Sequence, residues 1–238
     1  MVVRQFPSIR DGFYASVVHM TSAPIRPEVS WQEIPAPPKL APHTHAVSGE
    51  VTFHHEQVAS GRLILLYDPA GQETWAGTHR FVALVQAQLE PEFAVESMLG
   101  DVAWSWVTES LELYNAVAHE LGCTVTRVVS QSYGSLASRP ASVDVELRAS
   151  WTPELRPVPD ADQRSDASLA ARTTDHNEAA PHASSRRRTY EAPDLSAHFQ
   201  AWSALLCAAG GLPPLPPGIK PLTPTHRARA PHTDGEAR

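Results

Sequence analysis

The chain has 238 residues, which indicates one globular domain with appendages, because domains usually hold roughly 100 to 200 residues. Residues 31–155 carry 15 acidic and 6 basic side chains. Such a region repels phosphate, which excludes a nucleic-acid reader. No apolar run approaches the ~18 residues of a membrane-spanning helix, and the first residues do not resemble a signal peptide. We therefore expect a cytoplasmic protein that binds neither nucleic acid nor membrane, and the sequence leaves its oligomeric state open.

The first predicted element is a short helix within residues 1–30. Ser8, with Asp11 three residues later, resembles the capping box that begins many helices. Apolar residues then follow at helical spacing. They are Phe13, Val17 and Met20.

A proline-rich segment, residues 31–42, opens the predicted core, which spans residues 31–155. Its four prolines exclude a helix and disfavour the interior of a sheet, so we expect it to lie extended across the surface. Trp31 and Ile34 then either dock on their own domain or are offered to a partner protein.

Three strands are predicted next. Residues 45–54 and 61–68 alternate polar and apolar side chains and are expected to pair, closed by the turn-forming stretch Asp68-Pro-Ala-Gly71. Residues 80–89 suit either a helix or one face of a strand, and we choose the strand.

The main predicted helix begins at Asp101, which suits the N-cap, and ends before Gly122, which suits the C′ position. Apolar residues recur along it at spacings of three and four and predict one stripe that faces the core. The stripe consists of Trp104, Val107, Leu111, Tyr114, Ala118 and Leu121. Trp106 points about 200° away from Trp104, so it either packs on another element or is presented to a partner. An acidic exposed face is expected from Glu109, Glu112 and Glu120.

Two more strands follow this helix. Residues 123–133 and 142–151 alternate polar and apolar side chains and pair most simply as an antiparallel hairpin. The residues expected on one face of the second strand are Val143, Val145, Leu147, Ala149 and Trp151.

The C-terminal third combines one more helix with polar segments. Residues 156–192 mix both charge signs and hold few aliphatic residues, so we expect a disordered insertion. Residues 193–219 complete the core with a helix at 194–209 that Gly210 and Gly211 stop. Residues 220–238 are expected to form a disordered tail.

The element order is thus α-β-β-β-α-β-β-α. Helices on one face of an antiparallel sheet of about five strands make a two-layer α+β domain. This order is similar to that of secretion-chaperone-like folds, which bind protein segments across a sheet and helix surface, but a fold alone does not determine function.

The chemistry-bearing residues argue against a reactive site. Four histidines lie close together in the sequence, at His43, His45, His54 and His55. They cannot share one metal ion on an extended strand, because residues 45 and 55 are then roughly 33 Å apart. Cys123 and Cys207 lie in apolar surroundings typical of buried, reduced thiols. No phosphate-binding glycine loop or nucleophile elbow occurs, so we predict no catalytic residue, no metal and no cofactor.

Five stretches of the sequence resemble a known family. They are Trp31-Gln-Glu-Ile-Pro-Ala-Pro37, Asp68-Pro-Ala-Gly-Gln-Glu-Thr-Trp75, Ala103-Trp-Ser-Trp-Val-Thr-Glu109, Leu147-Arg-Ala-Ser-Trp-Thr-Pro153 and Ala201-Trp-Ser-Ala-Leu-Leu-Cys-Ala-Ala-Gly-Gly-Leu-Pro-Pro214. Together they resemble an actinobacterial family known as domain of unknown function 3000. The resemblance runs from about residue 8 to 219, apart from the insertion, and implies no activity, cofactor or catalytic residue.

These observations favour a non-enzymatic module that works through protein contacts, chaperone-like or regulatory. Its candidate interaction residues are Trp31, Ile34 and Trp106. The alternative is an enzyme or small-ligand-binding protein with a pocket between sheet and helices. Converging polar groups with shifted pKa values in a pocket would favour the alternative, whereas a shallow apolar groove would favour the interaction module.

Overall fold

A computed structural model describes residues 9–157 and 192–215 of the chain. The helices and long strands are α1 (Ile9–Thr21), β1 (Val29–Ile34), β2 (His43–Phe53), β3 (Glu56–Gln72), β4 (Gly77–Leu89), α2 (Leu99–Leu113), β5 (Ala118–Ser130), β6 (Ser142–Pro153) and α3 (Ser196–Ala209). Two short strands, β7 (Arg156–Pro157) and β8 (Pro193–Asp194), form a separate antiparallel ribbon. The capping residue Ser8, most of the predicted insertion and the predicted tail lie outside the described residues.

The six long strands form one antiparallel sheet in the order β1-β2-β3-β4-β6-β5. The three helices pack against it, so the predicted two-layer α+β class is confirmed. Residues 80–89 are confirmed as a strand within β4, and the β5–β6 hairpin is also confirmed. The predicted inward face of β6 is buried throughout, from Val143 to Trp151 at every second residue.

The sheet has one strand more than predicted. The expectation that residues 31–42 merely cross the surface is wrong for its first residues, because β1 pairs with β2 from Val29 to Ile34. The first proline of this segment is Pro35, which comes just after the strand. An edge strand also needs backbone partners on one side only. The remaining residues of the segment, from Pro35 onward, lie outside any strand until His43.

The β2–β3 pair is closed by a turn different from the predicted one. His54 and His55 form this turn, with φ of 50° and 70°, as a two-residue turn of type I′ requires. Asp68-Pro-Ala-Gly71 instead lies inside β3, where the register with β4 is interrupted between Tyr67 and Gln72. The Asp68 carboxylate there accepts a hydrogen bond from the Ala70 amide at 3.0 Å.

Helix α2 is shorter at its C-terminus than predicted and begins earlier. It starts at Leu99, so Asp101 is not its N-cap but lies in its first turn. It ends in a Schellman motif in which Asn115 has a φ of 52° and the Ala116 amide donates to the Leu111 carbonyl at 2.9 Å. The apolar residues Ala118 and Leu121, like Gly122, therefore belong to strand β5 and not to the helix.

Helix α3 lies over the centre of the sheet. Gly49 and Gly61 face each other on β2 and β3, and a Cβ atom at Gly49 would lie 2.7 Å from the ring of Trp202. The missing side chains thus make room for the helix. Phe199 and Trp202 are fully buried in this position.

Candidate functional site

The buried histidines of the core are held neutral. His79 is 3% exposed and stacks on Tyr67 at 4.5 Å between ring centroids, and burial lowers its pKa to about 4. His198 accepts a hydrogen bond at Nδ1 from Trp151 Nε1 at 3.1 Å, and burial lowers its pKa to about 4 as well. Both imidazoles are therefore neutral packing groups of the core at neutral pH.

The two cysteines are free thiols. Burial raises the pKa of Cys207 to about 12 and also raises that of Cys123. A nucleophilic cysteine usually has a lowered pKa. The prediction that both thiols are buried holds for Cys207, whereas Cys123 is only partly buried.

One Ser–His–Asp cluster occurs at the N-terminus of α3. The Ser196 hydroxyl and the Asp194 carboxylate lie 3.1 and 3.2 Å from the same ring nitrogen, Nδ1 of His19. A catalytic triad needs the serine and the carboxylate on opposite ring nitrogens. Asp194 also accepts a hydrogen bond from the Ser196 amide at 2.9 Å, so the cluster stabilises the start of the helix.

The histidines near β2 do not form a metal centre. His43 stacks on Tyr67 at the start of the strand, whereas His54 and His55 form the turn after its other end. Within the described residues, no three His, Cys, Asp or Glu side chains are placed to hold a metal ion. In the same residues, no helix is both long and apolar enough to span a membrane.

A shallow apolar groove of about 430 Å³ lies between the C-terminal half of α2 and the start of β5. Its lining residues are Thr108, Leu111, Glu112, Asn115, Ala116, Val117, Ala118 and Leu121. The groove exists because the Schellman motif at Asn115 turns the chain back, so that β5 runs beside the helix that precedes it.

An exposed tryptophan extends the helical wall of this groove. Trp104 is 39% exposed and lies one turn before Thr108, on the helix face that also carries Leu111. The prediction that Trp104 belongs to the buried stripe is wrong. The buried residues of α2 are Leu99, Ala103, Val107, Ser110 and Leu111.

Strand β5 forms the other wall and is an edge of the sheet. It has 13 residues without proline, and its described strand neighbour is β6 alone. After a bulge between His119 and Gly122, its register with β6 is continuous to Ser130. Val128 and Val129 are both exposed near its end.

The opposite edge is less suited to further pairing. Strand β1 has only 6 residues, and Pro35, Pro37 and Pro38 follow it directly. Short length and proline both disfavour strand addition, so β5 is the edge better suited to pairing.

The predicted interaction residues are not gathered at one place. Trp31 lies on the helix side of β1, edge-on to Phe199 at 5.4 Å between ring centroids. Ile34 lies three residues later in the same strand, paired with Ala46, and so faces the open side of the sheet. Trp106 is partly buried against the core. Their role in binding stays a prediction.

The groove residues were not predicted, because the apolar spacing of α2 continues into Ala118 and Leu121 of β5. Asn115 was the available signal, since asparagine is one of the few residues that adopt the left-handed conformation ending a helix. A helix that ends at Asn115 places Val117 and Leu121 after α2, where they can lie beside it.

Among the described residues, the fold and the groove define a two-layer α+β protein in which the edge strand β5 lies beside an apolar cleft. Within that class, the chain belongs to the family described as Protein of unknown function (DUF3000), whose model matches residues 10–220. This confirms the family resemblance carried by the five sequence motifs. No curated protein and no solved structure matches the chain.

Proposed function

We propose that the protein is a cytoplasmic, non-enzymatic binding module that adds an extended segment of a partner protein to the β5 edge. The observation that carries this proposal is a long, proline-free edge strand beside an apolar groove, whose outer side pairs with no other strand of the described residues. A reducing compartment suits the free thiols Cys123 and Cys207.

The backbone of β5 supplies the first part of such a contact. An edge strand carries amide and carbonyl groups without a strand partner on its outer side, and an incoming segment pairs with them. The regular stretch from Gly122 to Ser130 is the part suited to pairing, because its register is uninterrupted.

The groove supplies the second part. Alternate side chains of an added strand point to the same face of the sheet, so those on the helix side would enter the groove. There they meet Leu111, Val117 and Leu121, with Trp104 about two turns before Leu111 on the helix. An aromatic side chain at the rim of an apolar cleft is a frequent anchor in protein contacts.

The alternative of a small-ligand pocket has less support. A second cavity, of about 360 Å³, lies at one end of β3, β4 and β6, and polar residues including Gln57 and Asp144 line it. Its Glu146 carboxylate is already engaged with Arg148 at 2.6 Å and Gln86 at 2.8 Å. The groups with the largest pKa shifts, such as His79 and His198, lie in the core instead.

The experiment that tests the proposal is selection of binders from a random ten-residue peptide library against the full chain, followed by amide hydrogen exchange of the complex. We expect enriched peptides to slow exchange at the backbone of Gly122–Ser130. Peptides that protect only other strands would contradict the proposal. In the free chain, the amides of Gly122–Ser130 that do not pair with β6 should exchange quickly. Slow exchange at these amides would also contradict the proposal, because the edge would then already be covered by another copy or by the chain's own residues.

Variants of the groove sharpen this test. Trp104→Ala and Val117→Asp should each weaken the selected peptides about tenfold or more, as removal of an interface anchor does. Tyr133→Ala is the matched control, because this aromatic residue is 76% exposed and lies in the β5–β6 connection, away from the groove. Equal losses in Trp104→Ala and Tyr133→Ala would show that the groove has no special part in binding.

A further inference from the structure

The charge around the groove restricts what it accepts, provided that the proposed strand addition at β5 is correct. Glu112 is the charged residue among those that line the groove, and its side chain is exposed. Glu109 is exposed one turn earlier on the same helix. Glu154 follows β6 next to the groove, where its amide donates to the Val117 carbonyl at 2.9 Å.

The arginines of this part of the sheet are engaged elsewhere. Arg127 donates to the carbonyl oxygens of Phe93 and Glu96, at 3.3 and 2.6 Å, beyond the far end of the groove. Arg80 donates to the hydroxyls of Ser150 and Thr152 and, at 2.8 Å, to the Glu120 carbonyl oxygen of β5, so its guanidinium is already hydrogen-bonded within the sheet. Within the described residues, no lysine or arginine lines the groove.

We infer that the bound segment is basic as well as apolar: a lysine or arginine of the partner lies against Glu112, and its neighbouring apolar side chains on the same face enter the groove. This arrangement pairs the acidic rim with an opposite charge and leaves the apolar floor to apolar groups. An acidic segment would bring like charges together at the rim, so the same feature discriminates against it.

The geometry also sets where the basic residue lies along the segment. On the helix side, the lining residues extend from Thr108 to the turn at Asn115. Glu112 lies in the last turn of α2, close to this turn, which closes the groove. The basic residue should therefore lie near the end of the segment that enters this closed end. Its apolar neighbours should lie toward Trp104.

The experiment compares peptide libraries selected against the full chain and against Glu112→Gln. We expect lysine and arginine to be enriched near one end of the peptides bound by the natural chain, and this enrichment to be lost with Glu112→Gln. Glu112→Gln should weaken a basic selected peptide about two- to fivefold at low salt, the range of an exposed ion pair, and the difference should shrink as salt is added. The matched control is Glu73→Gln, which changes an exposed carboxylate in the β3–β4 connection.

The outcomes separate this inference from the proposed function. Peptides that protect β5 but show no basic enrichment, or that bind Glu112→Gln equally well, would overturn the inference and leave strand addition standing. A library in which no peptide protects β5 would overturn both. A charge preference that Glu73→Gln removes equally would show a general effect of net charge and would also overturn the inference.

Discussion

Two imidazole rings in the core make folding stability depend on pH. His79 and His198 are almost fully buried, and burial lowers the pKa of each from 6.5 to about 4. The geometry at His198 agrees, since Nδ1 already accepts the Trp151 hydrogen bond and loses it if a proton binds there. The unfolded chain binds protons to these residues near pH 6.5, whereas the folded chain does not until about pH 4.

We therefore expect the free energy of unfolding to be highest above pH 6.5 and to fall as the pH decreases from 6.5 to 4. At about 1.36 kcal/mol per pKa unit, each histidine contributes roughly 3 kcal/mol to this loss. Urea denaturation followed by tryptophan fluorescence at several pH values measures it.

The variant His79→Phe tests the assignment to a residue. Phenylalanine keeps an aromatic ring against Tyr67 but binds no proton, so the decrease in stability between pH 6.5 and 4 should become smaller by roughly the 3 kcal/mol assigned to one histidine. His119→Ala, at an exposed position, should leave the slope unchanged. If both variants gave the natural slope, the pH dependence would arise from other groups.

The tryptophans show what residue patterns can and cannot predict. The sequence placed Trp104 in the core and left Trp106 between two roles, whereas the structure exposes Trp104 and packs Trp106 partly against the core. The error follows from the helix end: Ala118 and Leu121 fitted a helical stripe through Trp104 only because the helix was extended into β5. Periodicity predicted α1 and β6 correctly, since no neighbouring element of another period continued their patterns, whereas the pattern of β4 suited a helix as well as the strand that was chosen.

At the scale of elements, helix packing on the sheet depends on two glycines that periodicity does not identify. Gly49 and Gly61 lie opposite each other on β2 and β3, beneath Trp202 and Leu206. A Cβ atom at Gly61 would lie 2.5 Å from the Leu84 carbonyl oxygen, which belongs to the neighbouring backbone and cannot turn aside.

We expect Gly61→Ala to lower the free energy of unfolding by about 1–3 kcal/mol, because the sheet or α3 must move to admit the methyl group. Gly100→Ala is the control: it lies within α2, and a Cβ atom there would contact nothing within 4 Å. That variant should be neutral or stabilising by up to about 1 kcal/mol, as glycine is a poor helix former. Chemical denaturation measures the free energy of unfolding of both variants. Equal values would show that neither Leu84 nor α3 lies as close to Gly61 as the structure places them.

The edges of the sheet mark the limit of prediction from sequence. The order and type of most elements could be predicted, but not which strands lie at the edges, because strand order depends on pairing between distant segments. Only the folded sheet shows that β1 and β5 are its edge strands. The candidate groove depends on this order as well as on the helix end at Asn115, so the local signal at Asn115 alone does not place the groove at a sheet edge.

At the scale of the whole molecule, the helix at the centre of the core comes last in the described chain. Helix α3 follows residues 158–191, yet it packs over β2 and β3 and against α1 and α2. The ribbon of β7 and β8 brings the two ends of that segment together, with Arg156 opposite Asp194. Folding must therefore close this long connection before the central helix can dock.

We expect residues 158–191 to be replaceable by a glycine- and serine-rich loop of about four residues without loss of the fold. Each halving of a closed loop contributes about 0.6 kcal/mol, so the shortened chain should gain about 2 kcal/mol and unfold at a temperature several degrees higher. Calorimetry of the shortened chain measures this, with a control in which the segment keeps its length but consists of glycine and serine. If both variants lost stability or unfolded without cooperativity, the replaced residues would contribute contacts of their own to the core. If only the shortened chain gained stability, the segment would act on the free energy of unfolding through its length. The contacts that determine the fold would then lie in the two parts of the chain that the segment connects.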